Sequence, residues 1–174
     1  VGSEMCIRDR HGKKFRKPTN RVEKAGFQFK LLNPPFSETQ MQEMKAVSDI
    51  WLNGRKEKGF SLGFFDEAYL QQAPIAIVES KEGEIVAFAN IMPTQNKRVA
   101  TIDLMRYDFK KAPEGIMDYL FVKLFQYFKE EGKQYFDMGM APLANVGTEE
   151  DSFIEEKVAN LVYVFAQRFY SFSG

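Results

Sequence analysis

The sequence predicts an α/β domain built on a mixed, largely antiparallel sheet with helices on both of its faces. Three observations predict it. Two apolar runs, Ile75–Ser80 and Glu84–Met92, are separated by the tight turn Lys81-Glu82-Gly83, and a third, Arg98–Met105, follows a second short turn at Thr94–Lys97. Short turns in succession imply an antiparallel meander. Segments of helical period stand before and after this meander, and the order strand, helix, strands, helix, strand, helix calls for a sheet layered with helices. Finally, 174 residues with 44% hydrophobic and 28% charged side chains suit one folded domain able to bury about two-thirds of its unfolded surface.

The elements follow in order. Val1–Arg10 (VGSEMCIRDR) has no usable period, resembles translated adaptor sequence, and is set aside as a non-native tail. Residues 11–35 form a basic linker and first strand. Eight Lys or Arg lie between Arg10 and Lys30 against one acid, Glu23, and Pro18 is expected to break any helix before the strand Phe27–Leu32. The rest of the domain occupies 36–174. Ser37 with Gln40 makes a capping-box pattern, and Met41, Met44, Val47, Ile50 and Trp51 give the helix that follows its apolar face. Asp66 can cap a short helix running to Gln72, which Pro74 stops. Pro113 stands near the start of a helix with Ile116, Leu120, Leu124 and Phe128 on one face, ending before Gly132. Tyr135–Met140 reads as a buried strand, and Glu150 to about Phe169 as a last helix.

Composition narrows the chemistry. Twenty-four basic and twenty-four acidic residues leave no net charge to attract a polyanion, so any contact with nucleic acid must use a local patch. The single Cys, Cys6, allows neither a disulfide framework nor a cysteine metal site, and the position of the single His, His11, in a basic stretch before the first clear strand argues against a Ser/His/Asp or Cys/His arrangement. Neither a metal nor a bound cofactor is expected. No apolar run reaches the roughly 18 residues of a membrane span, so lipid would be met from the aqueous side.

Four segments, taken together and in register, carry a family resemblance: SDIWLNGRKEKGFSLGFFDEAYL (Ser48–Leu70), IDLMRYDFKKAPEGIMDYLF (Ile102–Phe121), FDMGMAPLANVG (Phe136–Gly147) and FYSFSG (Phe169–Gly174). The chain resembles the C-terminal synthase domain of phosphatidylglycerol lysyltransferases, the multiple peptide resistance factors. The resemblance implies an acetyltransferase-like (GNAT) fold, the second of a tandem pair. It also implies an aminoacyl-tRNA donor and the glycerol hydroxyl of phosphatidylglycerol as acceptor. The parent protein would carry an N-terminal transmembrane domain, work at the cytoplasmic face of the bacterial membrane and give resistance to cationic antimicrobial peptides. The family continues beyond Gly174 through a Lys-rich, aromatic stretch that contributes to the site, so the fold is expected to be truncated C-terminally and the chain alone to form little product.

Transfer of an ester to an alcohol needs a proton acceptor and charge stabilisation, and an anionic lipid needs a cation. Asp103 and Arg106, at and just beyond the end of a predicted strand, are the catalytic candidates: Asp103 to orient or deprotonate the hydroxyl, Arg106 to clamp a phosphate. The alternative is a structural Asp–Arg ion pair, and the resemblance favours function. Lys110 and Lys111, before a helix start, could meet an anion or be merely solvated. Asp118, inside that helix, could face the site, with an exposed helical carboxylate as the default. Gly139, in a strand end of small residues, would allow close approach of backbone or mark a bulge that splays the sheet, and the family places this stretch beside the catalytic tunnel. Arg55, with Lys58, could meet head groups or tRNA, as could the basic stretch Arg10–Lys30, the alternatives being a solvated charge run and a solvated connector. Phe60, Phe64, Phe65, Phe121, Phe125 and Phe128 would suit an acyl-chain groove, but core packing is the better account of most of them.

Two rivals remain. One is an acetyl-CoA-dependent N-acetyltransferase; its glycine-rich pyrophosphate loop would fall at Lys110-Lys111-Ala112-Pro113-Glu114-Gly115. One glycine, a proline and an acid where the anion would lie disfavour it. The other is an inactive lipid-binding fragment.

Overall fold

In the computed structural model the described residues are 4–6, 13–55, 57 and 64–137, and they belong to one unit, Gly2–Met138. In chain order they form β1 (Glu4–Cys6), α1 (Lys13–Lys24), β2 (Gln28–Leu32), α2 (Glu38–Leu52), α3 (Glu67–Leu70), β3 (Ile75–Glu79), β4 (Ile85–Met92), β5 (Val99–Tyr107), α4 (Ile116–Glu130) and β6 (Tyr135–Asp137). The strands make one six-stranded sheet in the order β1-β6-β5-β4-β3-β2. β2 to β5 are antiparallel neighbours, β6 lies parallel to β5 after the α4 crossover, and β1 closes the edge antiparallel to β6. This is the mixed, acetyltransferase-like α/β arrangement that the sequence predicts.

Alternation along the strands divides the interior in two. On one face Ala76, Val78, Val86, Ala87, Ala89 and Ala100 pack beneath Val22 of α1 and Ile116, Tyr119, Leu120, Leu124 and Phe128 of α4. The small alanines let α4 sit close to the sheet, and Phe136 fills the gap with ring contacts to Phe121, Phe125 and Phe128. Those three α4 rings are therefore core. On the other face Ile75, Ile77, Ile85, Phe88 and Leu104 receive Met41, Met44 and Val47 of α2 and Leu70 of α3. Phe65 meets Phe88 edge to face there, and Phe64 is exposed beside Tyr69.

The local signals explain the helix ends. Ser37 and Gln40 form both bonds of the capping box, and Asn53, with φ 48°, closes α2 in the left-handed region. The Asp66 carboxylate accepts the Tyr69 backbone N–H at 2.7 Å and starts α3, which ends at Leu70, not Gln72. Three further expectations change. Pro18 does not break α1, which runs unbroken from Lys13 to Lys24; a proline only one turn into a helix removes a single hydrogen bond, and the packing of α1 on α4 outweighs it. Glu4–Cys6, set aside with the tail, pairs with Tyr135–Asp137. β5 continues to Tyr107, so Asp103 and Arg106 lie within the strand and not at its end. The helix expected over 150–169 and the end of the strand at 138–140 lie outside the described residues.

Candidate active site

A regular strand places residues three apart on opposite faces, which would separate Asp103 from Arg106. A β-bulge prevents this. Ala89 pairs with Met105 and Ile91 with Ile102, so Asp103 and Leu104 together oppose Asn90. The side-chain oxygen of Asn90, a residue only 2% exposed, accepts the backbone N–H groups of Asp103 at 3.3 Å and Leu104 at 2.6 Å. The extra residue shifts the alternation, and Asp103, Leu104 and Arg106 all come to the α2 face.

On that face Asp103 is half-buried and accepts the Tyr69 hydroxyl at Oδ2, 3.0 Å away, while the Met92 thioether lies against the same hydroxyl. Burial, then the hydrogen bond and negative charge of Asp103, raise the Tyr69 phenol above its ordinary value, against a smaller lowering by Asn90. The phenol is thus protonated well past neutral pH and one Asp103 oxygen is held by it. Replacing Asp103 by Asn is expected to bring the Tyr69 titration back down toward about 10 without reaching it, since burial persists. NMR titration of the assigned ring checks this. The sign for stability follows: the raised phenol favours the fold fully below about pH 10, and that contribution disappears as pH climbs through the folded value.

Arg106 is 2% exposed. One terminal nitrogen donates to the hydroxyl of buried Ser48 on α2, another pairs with Glu57, and the guanidinium carbon lies 5.0 Å from the centre of the Trp51 ring. Glu57 also accepts the Phe65 backbone N–H at 3.0 Å. Among the described residues the ion-pair partner of Arg106 is therefore Glu57 and not Asp103. The open phosphate clamp expected from the sequence is replaced by a buried pair, because a guanidinium packed under α2 requires a counter-anion at hand. Arg55 reaches the same ring, 5.3 Å from the Trp51 centre, and donates to the Leu52 and Trp51 carbonyls.

The other candidates are not gathered here. Lys110 and Lys111 are exposed in the turn after β5, where Lys111 pairs with Glu84 at 2.6 Å. The Glu84 hydrogen bond is the main reason that the Lys111 ammonium titrates above its usual value. Buried Asp108 takes the turn amides of Lys110 and Lys111 at 2.8 and 3.2 Å, so an internal carboxylate occupies the place where a pyrophosphate would need free N–H groups. Asp118 is exposed on α4, across the sheet from Asp103. Gly139, Lys58 and Phe60 lie outside the described residues. In the basic stretch, Arg21 pairs with Glu114 and Lys30 with Glu79. Among the described residues no cluster of metal-ligating side chains occurs and no helix is long and apolar enough to cross a membrane.

Tyr69, Asn90 and Glu57 complete the site and escaped the sequence reading. Asn90 did leave a signal, since an amide inside the apolar run Ile85–Met92 must find a partner.

An acetyltransferase-like sheet whose bulged central strand presents a carboxylate and a guanidinium to one face defines the class. The family described as "Phosphatidylglycerol lysyltransferase, C-terminal" matches residues 3–174, and the chain belongs to that family. It is 53% identical over 155 residues to a phosphatidylglycerol lysyltransferase of Bacillus subtilis (strain 168), covering 89% of this chain and 18% of that protein. To that of Staphylococcus haemolyticus (strain JCSC1435) it is 40% identical over 160 residues, covering 92% and 19%. Among solved structures, L-PGS from Bacillus licheniformis superposes with a TM-score of 0.77 at 50% identity, over 94% of this chain and 52% of that one. The C-terminal domain of a putative lysylphosphatidylglycerol synthetase from Agrobacterium fabrum does so with 0.77 at 32% identity, over 98% and 52%. The chain thus spans about a fifth of the length of these curated relatives.

Proposed function

We propose that this chain is part of an enzyme that transfers a lysyl group from aminoacyl-tRNA to a glycerol hydroxyl of phosphatidylglycerol. Family membership supports the reaction, and the placement of Asp103 supports the mechanism. With Oδ2 engaged by Tyr69, Oδ1 is left to take the proton of the attacking glycerol hydroxyl. The new bond joins glycerol oxygen to the lysyl carbonyl carbon; the bond from that carbon to the tRNA ribose oxygen breaks, and the proton passes from Asp103 to the departing ribose oxygen. Arg106, on the same face, compensates the lipid phosphodiester. Attaching lysine turns an anionic head group cationic, which accounts for resistance to cationic peptides. The enzyme works at the cytoplasmic membrane face, where charged tRNA is found, with an N-terminal transmembrane domain in the longer parent.

The amides taken by Asp108 favour this reading over an acetyl-CoA enzyme. In a full-length lysyltransferase carrying this domain, Asp103→Asn is expected to lower the rate of lysyl-phosphatidylglycerol formation by about a hundredfold or more, the usual contribution of a positioned base. Radiolabelled lysyl-tRNA with phosphatidylglycerol vesicles measures it, and an undiminished rate would remove Asp103 from the mechanism.

A further inference from the structure

We infer that Glu57 is an internal counter-anion that holds the phosphate-binding edge of Arg106 and is exchanged for the lipid phosphodiester when substrate enters. This rests on the reading of Arg106 given above and adds to it the group that must leave. The Arg106 side chain is 3% exposed and that of Glu57 26%, so an anion arriving from solvent meets the carboxylate first. A buried guanidinium without a counter-charge is strongly disfavoured, and among the described residues Glu57 supplies that charge. Unlike Ser48 and Trp51, which α2 fixes, Glu57 lies outside any helix or strand. Its other described partner is one backbone N–H, that of Phe65, which water can replace. A phosphodiester carries the same single negative charge and oxygen pair as the carboxylate, so it can accept from the same guanidinium edge. Exchange keeps Arg106 neutralised throughout, with Ser48 and Trp51 holding its plane.

A structural role and an exchange role predict opposite signs. If Glu57 merely braces the site, removing its charge weakens ligand binding; if it competes with the ligand, removing its charge strengthens binding. Trp51 is the only tryptophan in the chain, and its ring lies 5.0 Å from the Arg106 guanidinium, so its fluorescence reports on the exchange. The probe is glycerophosphoglycerol, the phosphatidylglycerol head group without acyl chains, titrated into the 174-residue chain. Wild type should give a saturable change, Glu57→Gln a dissociation constant about tenfold lower, and Arg106→Gln none. Glu114→Gln, which removes an acid from the exposed Arg21 pair, should match wild type and so exclude a general charge effect. Should Glu57→Gln fail to fold by circular dichroism, Glu57→Asp, whose shorter carboxylate withdraws from the guanidinium, is expected to tighten binding by a smaller factor.

Equal or weaker binding by the folded Glu57 variant overturns the exchange while leaving the lipid reading intact, provided Arg106→Gln still abolishes the signal. A head group that binds neither protein overturns the exchange as well. Lysyl transfer lost in Asp103→Asn of the full-length enzyme would then still support the proposed reaction, and its retention would overturn that too.

Discussion

Arg106→Ala is expected to destabilise the domain by about 3 kcal/mol and to abolish lysyl transfer in the full-length enzyme. The magnitude is built from parts. Truncating a buried side chain of this length costs about 2–5 kcal/mol through lost burial and the cavity left behind. Contact with the Trp51 face adds about 1 kcal/mol, and the Ser48 hydroxyl, fully buried, loses its partner. Rehydration of Glu57, which is partly exposed, offsets a share of this. Denaturant unfolding reads the stability change as a lower midpoint at unchanged slope. A midpoint within the error of wild type would show that the buried pair contributes nothing to the fold. Lysine does not rescue the variant, because a point charge cannot span Ser48 and Glu57 as a planar fork does.

Asn90→Ala is the second large effect, expected at about 2–4 kcal/mol. One side-chain oxygen satisfies the buried N–H of Leu104 and the partly buried N–H of Asp103, and a buried N–H left without an acceptor costs about 1–3 kcal/mol. The functional loss should exceed what stability explains. Without Asn90 the bulge has no cap, the strand can return to regular alternation, and Asp103 turns from Tyr69 toward the α4 face. Transfer by the full-length enzyme should therefore fall as far as in Asp103→Asn, and amide exchange should accelerate at Asp103 and Leu104 before the rest of β5. Slow exchange at both amides in the variant would show that the bulge is fixed by something other than Asn90.

Much of this fold is legible because period and turn signals act locally. The β3–β4–β5 meander follows from two short turns, α4 from Ile116, Leu120, Leu124 and Phe128, all buried, and the start of α2 from Ser37 and Gln40. Pro18 misleads because the rule against interior proline is a local one, and the packing of α1 against α4 outweighs it. The site is less legible for a related reason. Asp103 and Arg106 can be picked out as residues, but their common face depends on a bulge that no turn residue announces. Tyr69 belongs to a four-residue helix whose hydroxyl finds Asp103 only across the fold, 34 positions along the chain. Glu57 stands in the charged run Arg55–Lys58, where a solvated carboxylate is the ordinary expectation. The burial of Arg106 did leave a trace, since it is flanked by Leu104, Met105 and Tyr107 in a strand that must be covered on both sides.

The row of alanines beneath α4 has a consequence of its own. Ala76, Ala87, Ala89 and Ala100 serve only to set the height of a helix above the sheet, whereas Asp103, Arg106 and the side chains paired with them stand on the reverse side. Scaffold and candidate site thus occupy opposite surfaces of the same sheet. Sequence drift under α4 can trade one ring for another without disturbing the face that carries Asp103 and Arg106, so the stability of the domain and the character of that face are free to change one at a time.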